Sequence, residues 1–135
     1  LGLAPEIPHA VLPAAVMLPA VGQGFLAAAT LEDHPLRGAV RGALNDGVGE
    51  KAALAERAML RALEGGCRVP VGALGVVGGG EIHLRGLVAS PDGALMYEGS
   101  AAGREPEDVG ERLARDLLDQ GAEIVLGEIR EVRST

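Results

Sequence analysis

The stretch VPVGALGVVGGGEIHLRGLVASPDGALMYEGS, residues 69–100, decides the fold. It divides into three strand-like runs, Val69–Val77, Glu81–Ala89 and Ala94–Ser100, parted by Gly78-Gly79-Gly80 and by Ser90-Pro91-Asp92-Gly93. Separators this short are turns, so the runs are expected to form an antiparallel meander. In the second run Ile82, Leu84, Gly86 and Val88 alternate with Glu81, His83, Arg85 and Leu87. That period of two describes a sheet with one face covered, and the cover has to be helical.

Helical signals flank the meander on both sides. Upstream, Glu50–Glu64 is rich in helix formers, with Leu54, Ala55, Ala58, Met59 and Ala62 on one face and Glu56, Arg57, Arg61 and Glu64 elsewhere. Gly65-Gly66 then stops the helix in the manner of a left-handed C-cap. Downstream, Pro106 suits a first helical position and Glu107 and Asp108 suit a first turn. Val109, Leu113 and Leu117 make the apolar stripe, Glu111 and Arg115 an i,i+4 pair, and Gly121 the stop. Ile124, Val125, Ile129 and Val132 place a last helix over Ala122–Val132. The expected fold class is α+β: a three-stranded antiparallel sheet with helices on one face, running from about Asp46 to the end.

Residues 1–45 read differently. They are rich in Ala, Leu and Pro, with no stretch periodic enough to close a core of its own. Pro5, Pro8, Pro13 and Pro19 interrupt helix, Ala14–Val21 is expected as a short buried strand, and Leu36, Val40 and Leu44 mark a short amphipathic helix after a cap region at Asp33. Asn45-Asp46-Gly47 ends that helix and marks the boundary between segment 1–45 and domain 46–135. The chain opens Leu1-Gly2-Leu3 rather than at methionine, which suggests a piece of something longer.

Composition narrows the function. The chain has 135 residues, 19 acidic against 12 basic, a formal net charge of −7, and Phe25 and Tyr97 as its aromatics. An acidic chain without stacking residues does not suit nucleic acid, and no apolar run suits a membrane span. Cys67, the one cysteine, excludes an intrachain disulfide and fits a reducing, cytoplasmic setting. His9, His34 and His83 lie too far apart for a zinc pattern, so no metal is expected. Glu64, Glu81, Asp92 and Glu98 offer carboxylates for acid and base work, with solvated charge as the simpler account. Gly22-Gln23-Gly24-Phe25-Leu26-Ala27 matches a loose dinucleotide-loop pattern, but no βαβ unit surrounds it, so a tight turn is the better reading. Cys67 follows a helix stop and two glycines and precedes Arg68, whose guanidinium would favour the thiolate. A small, inert, buried cysteine is the competing account.

Four segments taken together resemble the porphobilinogen deaminase (hydroxymethylbilane synthase) family. They are Leu18-Pro19-Ala20-Val21-Gly22-Gln23-Gly24, Ala55-Glu56-Arg57-Ala58, Leu63-Glu64-Gly65-Gly66-Cys67-Arg68-Val69-Pro70-Val71-Gly72, and Leu84-Arg85-Gly86-Leu87-Val88-Ala89-Ser90-Pro91-Asp92-Gly93. The resemblance covers essentially the whole chain but only the C-terminal part of that enzyme. It implies a third domain from Asp46 onward, preceded by a remnant of the first two: Leu1 to about Ala20 from the second, Val21–Gly24 crossing, and Phe25–Leu44 returning to the first. It also implies a dipyrromethane cofactor held by Cys67 through a thioether; Gln23 and Gly24 are further candidate contacts, and Arg68 either adds a contact to a cofactor carboxylate or faces water. Porphobilinogen units would be added one by one to the cofactor's free end, each losing ammonia. Soft sulfur suits such an anchor, because it captures an electrophilic methylene and the thioether then survives turnover.

The family's catalytic aspartate and most of its carboxylate-binding arginines belong to the N-terminal half, so no catalytic residue is expected in this chain, which would be inactive alone. The N-terminal domains or a second copy would then cover residues 1–44. Two departures stand out: Ala29-Thr30-Leu31 where the family often has Glu-Cys-Arg, and Arg68 where a small or neutral residue is common. The alternatives are a non-catalytic α+β interaction or structural domain and a thiol enzyme. The thiol enzyme lacks a base and a resolving cysteine.

Overall fold

A computed structural model of the chain describes residues 7–63 and 70–132, with residues 128–132 described as helical backbone alone. The meander forms as the turn signals require. β1 (Val71–Gly78), β2 (Glu81–Ala89) and β3 (Met96–Gly103) make an antiparallel sheet in the order β1-β2-β3. Val71 faces Val88, Gly75 faces Leu84, and Leu84 in turn faces Ala101. This register collects Val71, Ala73, Ile82, Leu84 and Val88, all buried, on one side of the sheet. The other side carries Leu74, Val76, His83, Arg85, Glu98 and Ser100.

The described residues also form four helices: α1 (Arg37–Leu44), α2 (Gly47–Ala62), α3 (Pro106–Asp119) and α4 (Glu123–Val132). α2 and α3 cover the apolar side of the sheet, where Ala55, Met59, Val109, Leu113 and Leu117 join the strand residues in one core. Ala122, just before α4, and Val125 and Leu126 on it close the same core. The two covering helices cross at Gly110, where an added Cβ would lie 2.6 Å from the Ala58 Cβ and 2.7 Å from the Met59 nitrogen. At this crossing Gly110 and Ala58 bring the two helix backbones together, while large side chains such as Met59, Leu84 and Leu113 fill the core beside it. α1 buries no residue.

Several boundaries differ from those expected. α2 begins at Gly47 rather than Glu50, because the Asp46 carboxylate accepts from the N–H groups of Val48 and Gly49 and draws the glycines into the first turn. α1 is preceded by Leu36, which gives it no side-chain cap, so the cap region expected at Asp33 does not hold. β3 starts at Met96 rather than Ala94. The Ser90–Leu95 hairpin consumes the intervening residues: Ser90 N–H donates to Leu95 O, Leu95 N–H to Ser90 Oγ, and Ala94 N–H to Asp92 Oδ1. On α3 the i,i+4 pair that closes is Asp108–Arg112, at 3.3 Å, in place of Glu111–Arg115. The strand expected over Ala14–Val21 is a turn at Pro13–Met17 followed by a single bridge, Ala20 to Gly72. Two prolines explain it, since Pro13 and Pro19 supply no N–H to a ladder. The expected stop at Gly65-Gly66 lies outside the described residues.

Candidate functional site

The residues nominated for a cofactor come from two places. Cys67 and Arg68 lie outside the described residues; in sequence they follow α2 shortly after Ala62. Gln23 and Gly24 lie on the tight turn that leaves the sheet edge.

That turn is built reciprocally. The Gln23 backbone N–H donates to Ala20 O at 3.0 Å, while the Gln23 Oε1 accepts from the Ala20 N–H at 3.1 Å. Gly22 and Gly24 both adopt positive φ, 76° and 91°, which a side chain would oppose. Gln23 and Gly24 are exposed. The Gln23 side-chain oxygen is thus engaged within the turn, and an added Cβ at Gly24 would meet nothing within 4 Å. This is a tight turn without a following helix, so the dinucleotide-loop pattern at Gly22–Ala27 is not realised.

The turn is tied to the body of the domain by a residue that sequence reasoning placed off the packed face of its helix. Glu56 on α2 is 2% exposed. Its Oε2 accepts from the Gly22 N–H and its Oε1 from the Gly75 N–H, each at 2.8 Å. Burial pushes the Glu56 carboxyl above its ordinary value, and the two N–H donors pull it partly back. A signal was present: Glu56 stands four residues after Ala52 and adjoins Ala55, both buried, so it borders the apolar stripe.

The other carboxylates considered for acid and base work do not converge. Glu98 pairs with Arg85 across the strands at 2.5 Å. Asp92 accepts from the Ser90 hydroxyl, which with the Ala94 N–H holds its carboxyl below the ordinary value. Glu81 is exposed at the start of β2, and Glu64 lies outside the described residues. Among the described residues, no three of His, Cys, Asp or Glu gather as metal ligands. His83 points away from the core as an exposed strand residue. An open groove beside the start of α2 is lined by Asp46, Lys51, Val77 and Gly78–Gly80. The Asp46 carboxylate there already satisfies the helix's own amides. Among the described residues, no helix is long and apolar enough to cross a membrane.

Segment 7–44 keeps a large apolar surface. Ile7, Val11, Leu12, Val16, Met17, Leu26, Leu31, Leu36 and Leu44 are all exposed, Val11 by 85% and Leu26 by 89%. A soluble monomer seldom leaves so many large apolar side chains uncovered in one segment. Leu18–Ala20 of this segment meets the sheet at Gly72 and Ala73, and Val21 packs against the core.

A family model described as the C-terminal domain of porphobilinogen deaminase matches residues 51–119. A porphobilinogen deaminase of Rubrobacter xylanophilus is 56% identical to this chain over 128 residues, covering 95% of the chain and 42% of the relative. Those of Geobacillus kaustophilus and Bacillus subtilis are 43% and 41% identical, over 88% and 84% of the chain and 38% and 36% of their own lengths. The chain thus spans about two fifths of the length of these curated relatives.

Proposed function

This chain belongs to the porphobilinogen deaminase family of tetrapyrrole biosynthesis, and on that premise we propose that it is the C-terminal, cofactor-anchoring part of a hydroxymethylbilane synthase. The complete enzyme would join four porphobilinogen molecules head to tail, releasing ammonia at each addition. Residues 46–135 would be its third domain, and residues 1–45 the end of the second domain, the crossing and the return into the first. The observation that carries the reading is the match over residues 51–119, which takes in α2 from Lys51 onward, the whole sheet and α3.

The donor set suits a dipyrromethane carrying carboxylate side chains. Cys67 would hold it as a thioether, Arg68 offers a planar fork to a carboxylate, and Gln23 and Gly24 offer N–H groups on an exposed turn. When bound, the group supplies the free pyrrole end on which the chain of substrate units grows. The residues of this chain anchor and orient. None is assigned to acid or base catalysis, so turnover would need the N-terminal part of the enzyme. The exposed apolar residues of segment 7–44 fit a surface shaped for that part. A cytoplasmic location agrees with a chain whose one cysteine, Cys67, can form no intrachain disulfide.

The test mixes this chain with the N-terminal three fifths of the Rubrobacter xylanophilus relative and follows porphobilinogen consumption and ammonia release. Neither part alone is expected to turn over, the mixture is, and Cys67→Ser removes the activity. Turnover by this chain alone, or an equally active Cys67→Ser mixture, contradicts the proposal. A complex that forms yet never turns over would favour a non-catalytic interaction domain.

A further inference from the structure

The edge of β1 is incompletely covered by backbone. Ala73 N–H donates outward to Pro19 O at 2.9 Å, and Ala20 bridges Gly72, so the crossing segment begins as a fourth strand. It then turns away at Gly22, and the next outward N–H of β1, at Gly75, is left without a strand opposite. Glu56 fills that place. Its side chain reaches from α2 past Gly75, where an added Cβ would stand 3.1 Å from the Ala52 backbone, and one oxygen takes the Gly75 N–H. The other takes the Gly22 N–H, 34 residues away in sequence.

From this we infer that Glu56 is a positioning residue, a latch by which one buried carboxylate fastens the Leu18–Gly24 crossing segment to the sheet. The inference rests on the hydrogen-bond geometry and stands whether or not Cys67 carries a cofactor. Both carboxylate oxygens act as acceptors, and a buried N–H that loses a charged acceptor loses more than an ordinary hydrogen bond. Because Gln23 follows Gly22 directly, the latch also sets where the Gln23-Gly24 turn stands relative to α2, the helix that leads toward Cys67.

Glutamine at this position keeps size but has one oxygen and one NH2, so it can accept from one N–H while setting donor against donor at the other. Amide exchange read residue by residue in the 135-residue chain tests the latch. In Glu56→Gln, Gly22 or Gly75 is expected to exchange about tenfold faster or more, while Leu84 and Ala101 in the sheet interior stay nearly unchanged. In Val21→Ala, which trims packing and leaves the carboxylate, Gly22 is expected to keep its protection. The inference is overturned if Glu56→Gln leaves both amides as slow as in the parent or speeds every amide equally. It is equally overturned if Val21→Ala frees Gly22 while Glu56 remains.

Discussion

Replacing Gly110 by alanine sets two effects of known sign against each other. In an exposed helix interior the change favours folding by about 1 kcal/mol. At Gly110 the new methyl would stand 2.6 Å from the Ala58 Cβ and 2.7 Å from the Met59 nitrogen, and closer still to the Ala55 carbonyl oxygen. Relaxed contacts between carbon atoms lie at roughly 3.5–4.0 Å, so α2 and α3 must part by about 1 Å. Two of those three obstacles are backbone of α2, which has no rotamer to yield. The parting spreads over the contacts that Met59, Val109 and Leu113 make, and a gap of that size forfeits roughly a quarter to a half of each contact's attraction. Overpacking of this kind costs about 1–3 kcal/mol, which exceeds the propensity gain except at its lower limit. Urea unfolding followed by far-UV circular dichroism is expected to show Gly110→Ala with a midpoint lowered by about 0.5–1 M. Gly42→Ala in α1, where an added Cβ meets nothing within 4 Å, is the control and is expected to be neutral or slightly stabilising. A Gly110→Ala chain as stable as the parent would refute the close-crossing account of this core.

Leu84, fully buried on the central strand, is expected to cost about 2–5 kcal/mol when cut to alanine, read from the same unfolding curves. The Arg61–Glu107 ion pair between α2 and α3 is exposed on both sides, so Arg61→Ala is expected to shift stability by less than about 1 kcal/mol. Glu56 predicts a pH dependence. Its folded-state pKa is raised above the unfolded one, so folding takes up a proton between the two values. Stability relative to Glu56→Gln should therefore rise as the pH falls from neutral through the folded value, and level off below the unfolded one. Thermal melts of both chains across that range check the sign. Light scattering is expected to show self-association through segment 7–44, relieved when the N-terminal part of a relative is added; a monodisperse monomer that ignores that part would contradict the proposed covering.

The sheet was legible because its turns are short and β2 alternates strictly, and α3 because proline, acidic first turn and glycine stop agree with one another. Segment 14–21 was misread because apolar content suggests a strand whereas a ladder also needs N–H donors, which Pro13 and Pro19 lack. The start of α2 was misplaced because Gly47 and Gly49 read as turn until the Asp46 cap is seen to hold them. Glu56 escaped for a different reason. Periodicity sorts residues by whether they are apolar, and a buried carboxylate looks like a solvent-facing one until its two donors, 19 and 34 residues away, are brought beside it by the fold. The motif around it was visible; its purpose depended on tertiary structure.

The central claim, that this chain anchors a dipyrromethane at Cys67, is tested most directly by intact-mass spectrometry. The chain would be purified after co-production with the N-terminal part of a relative in cells that make porphobilinogen, beside Cys67→Ser treated identically. The account predicts an added mass of two linked pyrrole units on the parent chain, stable to denaturation, and the bare mass for Cys67→Ser. A bare parent chain within an active complex, or the same adduct on Cys67→Ser, would contradict it.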